Sequence, residues 1–186
     1  MIHVLTETRT DDGINQLIAT CKSDSRVTGA ALRQAHYRLG QELAATYKAD
    51  FHDPVAVCFM RGGQPFSMGV ADTLDCTTLF LDDKACPDFF KENQAELRGK
   101  EVLLIDSVVN SGNGMLKAIE SLKDISSQVI VMTNVLCLKA KDKFKTMETY
   151  TVRISKNSFK GSNVKVQSGD KGPDTGDRLF RTGINA

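Results

Sequence analysis

Asp106 closes the apolar run Val102–Ile105 and leads, within eight residues, into Asn110, Ser111, Gly112, Asn113 and Gly114. A strand, an aspartate, a loop of small polar residues and a following helix are the parts of a phosphate site. Gly112 and Gly114 let the backbone approach a ligand closely, and a new helix offers unpaired N–H groups at the positive end of its dipole. In open α/β sheets ligands bind beyond the carboxyl ends of the strands, where such loops lie. A plain glycine-rich turn has the same composition, so the stretch alone leaves both readings open. Three other nucleotide motifs do not fit. GxxxxGK[ST] is missing, and the GxG at Gly112–Gly114 has Lys117 where a third glycine belongs. A methyltransferase glycine loop would follow its strand much more closely.

The elements that must position this loop alternate between strand and helix. The spacing predicts helices over 12–24 and 28–48, the second carrying Leu32, Ala35, Leu39, Leu43 and Tyr47 at intervals of three or four. Short apolar runs predict strands over 55–60, 77–82, 101–106, 128–137 and 149–154. The run at 101–106 is continuous enough to be buried on both faces, as in a parallel sheet. Met115, Leu116, Ile119 and Leu122 mark a helix after the loop, and 139–147 reads as another. The expected fold class is therefore α/β, a parallel central sheet flanked by helices in one domain over 1–186. From Lys156 the chain is rich in Gly, Ser, Asn and Asp, and a loop that long is expected to be functional.

Composition narrows the function classes. The formal charge of +1 offers no field for nucleic acid or anionic lipid. Lys139, Lys141, Lys143 and Lys145 read as a solvated surface. Neither a signal peptide nor a membrane-spanning run is found, so no membrane partner is expected. Five scattered cysteines without a CxxC read as buried thiols in a reducing cytoplasm, and three distant histidines offer no zinc site.

Three segments together resemble a known family. VLLIDSVVNSGNGM (102–115) is similar to the phosphoribosyl-diphosphate motif of the type I phosphoribosyltransferases. RGGQPFSMGV (61–70) resembles the Arg-Ala-Gly segment of the uracil phosphoribosyltransferases. PDTGDRLFRT (173–182) resembles that family's closing Gly-Asp-x-Gly-Asp-Arg-x-Phe-Gly-Thr. They occur in family order, and LRQAHYRLGQELA (32–44) stands in place of the family's early helix with its arginine, here Arg33.

The resemblance implies a type I phosphoribosyltransferase fold with a C-terminal base-binding loop region. It implies transfer of a phosphoribosyl group from phosphoribosyl diphosphate to a uracil-like pyrimidine or related small base, with Mg²⁺ present and pyrophosphate released. Asp106, Arg61 and Asp174 would be the catalytic residues, and Asp106 and Asp174 would meet the metal indirectly. Arg61, Gly62, Asp106, Ser107, Asn110, Ser111, Gly112, Asn113 and Gly114 would bind phosphoribosyl diphosphate, with a non-proline cis peptide in the Arg61–Gly62 loop. Gly172, Pro173, Asp174 and Thr175 would meet the base. A cytoplasmic homo-oligomer, a homodimer in particular, is expected. Ser107 replaces a proline of the uracil branch, and Pro173 replaces a glycine. Each residue also has a plainer role: Asp106 as a helix cap, Arg61 as a surface residue, the Asp174–Asp177 cluster as a turn. The alternative function is a regulatory protein that binds a nucleotide or phosphoribosyl diphosphate without turnover; a regulator that binds RNA is a third, disfavoured by the charge.

Overall fold

Glu101–Val109 forms a central strand because Val102–Ile105 is an unbroken apolar run, Val108 and Val109 extend it, and both of its faces are covered. Leu103 and Ile105 enter one hydrophobic cluster, Val102 and Leu104 the other, as the two-residue period of a strand requires. A computed structural model of the chain describes residues 1–9, 11–82, 86–157, 160–161 and 171–183.

In chain order the elements are β1 (Ile2–Val4), α1 (Leu5–Thr8), α2 (Asp12–Cys21), α3 (Gly29–Tyr47), β2 (Pro54–Phe59), α4 (Gln64–Leu74), β3 (Thr77–Leu81), α5 (Cys86–Glu92) and α6 (Gln94–Leu97). Then follow β4 (Glu101–Val109), α7 (Asn113–Leu122), β5 (Gln128–Cys137), α8 (Leu138–Lys141), β6 (Thr149–Ser155), the short pair β7 (Lys160–Gly161) and β8 (Lys171–Gly172), and α9 (Thr175–Phe180). Six strands make one sheet in the order β1-β6-β5-β4-β2-β3, and every pairing in it is parallel. Residues of α2, α3, α4 and α9 cover one face. Residues of α5, α6, α7 and α8 cover the other.

The crossing of α3 and α4 is set by two glycines. A Cβ on Gly40 would stand 2.2 Å from the Phe66 carbonyl oxygen, and one on Gly69 would stand 2.0 Å from that of Tyr37. The two helices therefore touch backbone to backbone, which fixes α4 and the loop that feeds it.

The expected α/β fold is the observed one, with local differences. The helix expected over 12–24 ends at Cys21, and Ser23–Ser25 form a 3-10 turn. The helix expected over 139–147 is only Leu138–Lys141 with a 3-10 turn at Asp142–Phe144. Its alternating lysines leave Ala140 and Phe144 as the buried anchors, too few for a longer helix. The strand expected to end at Asp106 continues to Val109, held in register with β5 through Val108↔Val135 and Val109↔Leu136. Most of the long stretch after Lys156, including 162–170, lies outside the described residues. Among those described, no helix is long and apolar enough to cross a membrane.

Candidate active site

All strands of the sheet point their carboxyl ends the same way, and β2, β4, β5 and β6 open there onto a cleft of about 660 Å³, within the range of small-molecule sites. Arg61, Gly62, Asp106, Asn110, Arg153 and Asp174 are among its lining residues. A smaller cavity of about 250 Å³ adjoins it and is lined by the whole Asn110–Gly114 loop; Asp106 and Asn110 face both.

The loop is built to leave N–H groups pointing outward. Gly112 is the N-cap of α7 at φ +75°, a left-handed conformation that favours glycine. A Cβ there would also stand 2.6 Å from the Phe144 ring. The first helical bond runs from the Leu116 N–H to the Gly112 carbonyl at 2.9 Å; the N–H groups of the first turn have no partner within the helix, and that of Asn113 donates to Ser111 Oγ at 3.4 Å. Lys143 Nζ donates to the Ser111 carbonyl and to Asn113 Oδ1, both at 2.8 Å. A cation thus backs a helix N-terminus, an arrangement that favours an anion.

Asp106 is not a helix cap. It stands within β4, paired with Thr133, six positions before the cap of α7. Its half-exposed carboxylate faces the cleft next to the loop. Ser107, one residue on, is buried and belongs to the framework: its hydroxyl donates to the Gly62 carbonyl at 2.7 Å and stands 3.1 Å from His36 Nδ1. Because the Ser107 proton goes to Gly62, His36 Nδ1–H is the donor of the second bond. The His36 Nε2 lone pair is left buried without a partner. Burial, with the charges of Arg178 and Arg153, pulls the His36 pKa down to about 3, so the ring is neutral.

Arg61 follows a cis peptide, Met60–Arg61, in the loop where one is expected. Its Nη2 donates to Asp177 Oδ1 at 2.5 Å and its Nη1 to Thr182 Oγ1 at 2.8 Å. With the guanidinium 43% exposed, this pair adds little stability and mainly orients the side chain. Gly176 packs directly on Arg61, since a Cβ there would lie 3.2 Å from Nε. Asp174 caps α9, accepting from the Asp177 N–H at 2.6 Å. Arg178, buried, donates to the carbonyls of Cys21, Lys22 and Val27 and to Ser25 Oγ. Arg33 donates to the Leu179 carbonyl at 2.7 Å. The closing segment is thereby fastened to both the Arg61 loop and the α2–α3 connection.

The structure brings Arg61, Gly62, Asp106, Ser107, Asn110, Pro173, Asp174 and Thr175 to one cleft and Ser111–Gly114 to its neighbour. Gly172 is buried in β8 just behind. His36, Arg153 and Arg178 have no role among the sequence-based expectations, and Lys143, expected as solvated surface, instead binds the Ser111–Asn113 loop. Arg153 alone carried a local signal, a charge inside the apolar strand TYTVRIS. Burial raises Cys21 to about 12 and Cys58 to about 11, so neither offers a thiolate. Among the described residues no three His, Cys, Asp or Glu side chains gather to hold a metal. Two separate carboxylates in one cleft, Asp106 and Asp174, fit Mg²⁺ that keeps its waters and is held chiefly by substrate phosphates.

A family model described as the phosphoribosyl transferase domain matches residues 30–169. The orotate phosphoribosyltransferase of Listeria innocua is 28% identical over 132 residues, and the match spans 69% of this chain but only 57% of that protein's length. The AQ2163 protein of Aquifex aeolicus superposes with a TM-score of 0.67 at 19% identity, over 98% of this chain and 99% of that one. The orotate phosphoribosyltransferase of Mycobacterium tuberculosis, solved with inorganic phosphate, gives 0.58 at 16% identity, over 82% and 94%. At these identities the solved structures share the fold.

Proposed function

Because the chain belongs to the phosphoribosyl transferase domain family, we propose that it transfers the phosphoribosyl group of phosphoribosyl diphosphate to a uracil-like pyrimidine or related small base, releasing pyrophosphate. A ring nitrogen of the base forms a bond to C1′ as the bond from C1′ to the diphosphate oxygen breaks. The nitrogen's proton leaves to solvent. The observation that carries this reading is the convergence of an anion-binding helix terminus, a carboxylate and an arginine loop on adjoining cavities.

The roles follow from position. The N–H groups of the 110–114 loop hold the 5′-phosphate with Lys143 behind them. Asp106, beside that loop, takes the ribose hydroxyls and stabilises positive charge developing at C1′, as carboxylates do in glycoside cleavage. Arg61 and the Gly62 loop receive the diphosphate, and Ser107 holds that loop through the Gly62 carbonyl. Pro173, Asp174 and Thr175 border the base. Asp106 and Asp174 would hold a hydrated Mg²⁺ together with the diphosphate, and the ion would supply further positive charge for the leaving group. Residence in the cytoplasm and self-association as a homo-oligomer belong to the same proposal. An edge strand, β3, with Phe80 46% exposed, gives self-association a surface.

A second reading, binding without turnover, draws on the engagement of Arg61 by Asp177 and of Asp174 by its cap. Incubation with phosphoribosyl diphosphate, Mg²⁺ and a panel of bases decides between them. Base-dependent pyrophosphate release is expected; tight binding of phosphoribosyl diphosphate with no release for any base would favour the second reading.

A further inference from the structure

Under the floor of the cleft, Asn134 of β5 is buried with its whole side-chain amide unused. Among the described residues, neither its Oδ1 nor its Nδ2 has a hydrogen-bond partner. The Cys21 thiol stands close to it, but a thiol is a weak partner. His36 of α3 is buried as well, and its Nε2 is the second group without a partner. Amide and imidazole atoms left this way are costly, and an apolar residue of the same size would avoid the cost.

The sheet register puts the two groups side by side. Ile130 and Met132 of β5 enter the cluster covered by α3, so Asn134, two residues on, points to that face. Leu103 and Ile105 of β4 do the same, and Ser107 follows them. Ser107 and Asn134 both lie between the pairs Asp106↔Thr133 and Val108↔Val135, so they are level, one strand spacing of about 4.8 Å apart. The Ser107 hydroxyl is 3.1 Å from His36 Nδ1. Asn134 therefore flanks the serine that holds the imidazole.

Resting on the transferase reading above, we infer that Asn134 is a positioning residue for the diphosphate loop, acting through a buried water on His36. The water donates to His36 Nε2 and accepts from the Asn134 amide, which meets the need of a water for several polar partners. With a donor at Nε2, the ring proton stays on Nδ1. Nδ1–H then donates to Ser107, and the Ser107 proton goes to the Gly62 carbonyl. In the other tautomer Nδ1 would accept from Ser107, and the Gly62 carbonyl would lose its donor. A polar line from Asn134 to Gly62 thus holds the loop after Arg61. Asn134 and His36 do not line the cleft, so they act on the loop and not on a ligand.

The test combines nitrogen-15 spectra of the histidine rings with calorimetric binding of phosphoribosyl diphosphate and of uridine 5′-monophosphate. The His36 signals are assigned by their loss in His36→Gln. Wild type should show the Nδ1–H tautomer, and Asn134→Leu should move the Nε2 resonance downfield as its donor is lost. The same variant should melt below the wild type, bind phosphoribosyl diphosphate about tenfold more weakly and bind the monophosphate within about twofold. Asn134→Ser, which keeps a hydroxyl and leaves room for a second water, should retain part of the affinity. Weaker binding of phosphoribosyl diphosphate in Asn134→Leu, with no pyrophosphate release by the wild type from any base, would support the role while refuting the transferase reading. An unmoved Nε2 resonance in Asn134→Leu would overturn the assignment. So would a variant that melts above the wild type, as removal of an unsatisfied amide would produce, or equal losses for both ligands.

Discussion

The Ser107 hydroxyl donates to the Gly62 carbonyl at 2.7 Å while its own oxygen accepts from His36 Nδ1–H at 3.1 Å. One buried hydroxyl thus ties the strand that carries Asp106 to the loop that carries Arg61. Ser107→Ala leaves the Gly62 carbonyl and the His36 N–H without their partner, which costs about 1–3 kcal/mol. Looseness of the Gly62 loop should raise KM for phosphoribosyl diphosphate by roughly tenfold and leave KM for the base within about twofold. Equal rises in both constants would show that Ser107 supports the whole cleft rather than this loop.

His36 makes the stability depend on pH. Its folded pKa of about 3 lies below the ordinary value of 6.5. Between those values the unfolded chain binds the proton and the folded chain does not, so stability is fully present above about 6.5 and falls as pH drops toward 3. The slope from this group is at most about 1.4 kcal/mol per pH unit. Denaturant melts of the wild type and of His36→Gln at pH 7, 6, 5 and 4 check this: the wild type should lose stability more steeply. Parallel profiles would place the acid sensitivity elsewhere.

Asp106 lines the cleft from within a strand and is not the cap of α7, and the proposed reaction places it at the ribose. Asp106→Asn should lower turnover at least roughly a hundredfold with little change in melting temperature. A destabilised variant that keeps its turnover would assign Asp106 to the framework.

Arg61 should matter more to phosphoribosyl diphosphate than to the product nucleotide, which lacks the diphosphate. Arg61→Ala is expected to weaken the former by about 2–3 kcal/mol and to leave monophosphate binding nearly unchanged. Since Arg61 also holds Asp177 and Thr182, Asp177→Asn serves as the control for loosening of α9. Comparable losses for both ligands in Arg61→Ala would contradict a diphosphate role.

Pro173 borders the cleft immediately before the α9 cap and has no N–H to offer a base. A base carbonyl facing that position lacks a donor, at a cost of about 1–3 kcal/mol when buried. Uracil should therefore be a poor substrate, and Pro173→Gly should improve it in steady-state kinetics. Ordinary uracil turnover by the wild type, unaltered by the substitution, would remove Pro173 from base selection.

The sequence by itself determined the parts whose signal is local. Val102–Ile105 is apolar without interruption, so a strand buried on both faces follows from composition alone, while the loop of small residues after it left a phosphate site and a plain turn both open. The alternation of strands and helices was enough for the α/β class, and the ordered motifs for the family. What the tertiary structure decided depends on partners distant in the chain. Asp106 lies within its strand rather than at its end because β5 continues the ladder beside it as far as Val109↔Leu136. Lys143, one of four alternating lysines, becomes part of the 110–114 loop only because the β5–β6 connection folds back over Ser111 and Asn113. Gly40 and Gly69 look like helix weaknesses until α3 and α4 cross with a carbonyl against each. The closing GDR motif fastens Arg61 and the α2–α3 connection, a role that needs residues 116 and 157 positions apart to meet. Periodicity reports which face of an element is apolar, whereas the pairing of polar groups is settled only when separate elements share one interior.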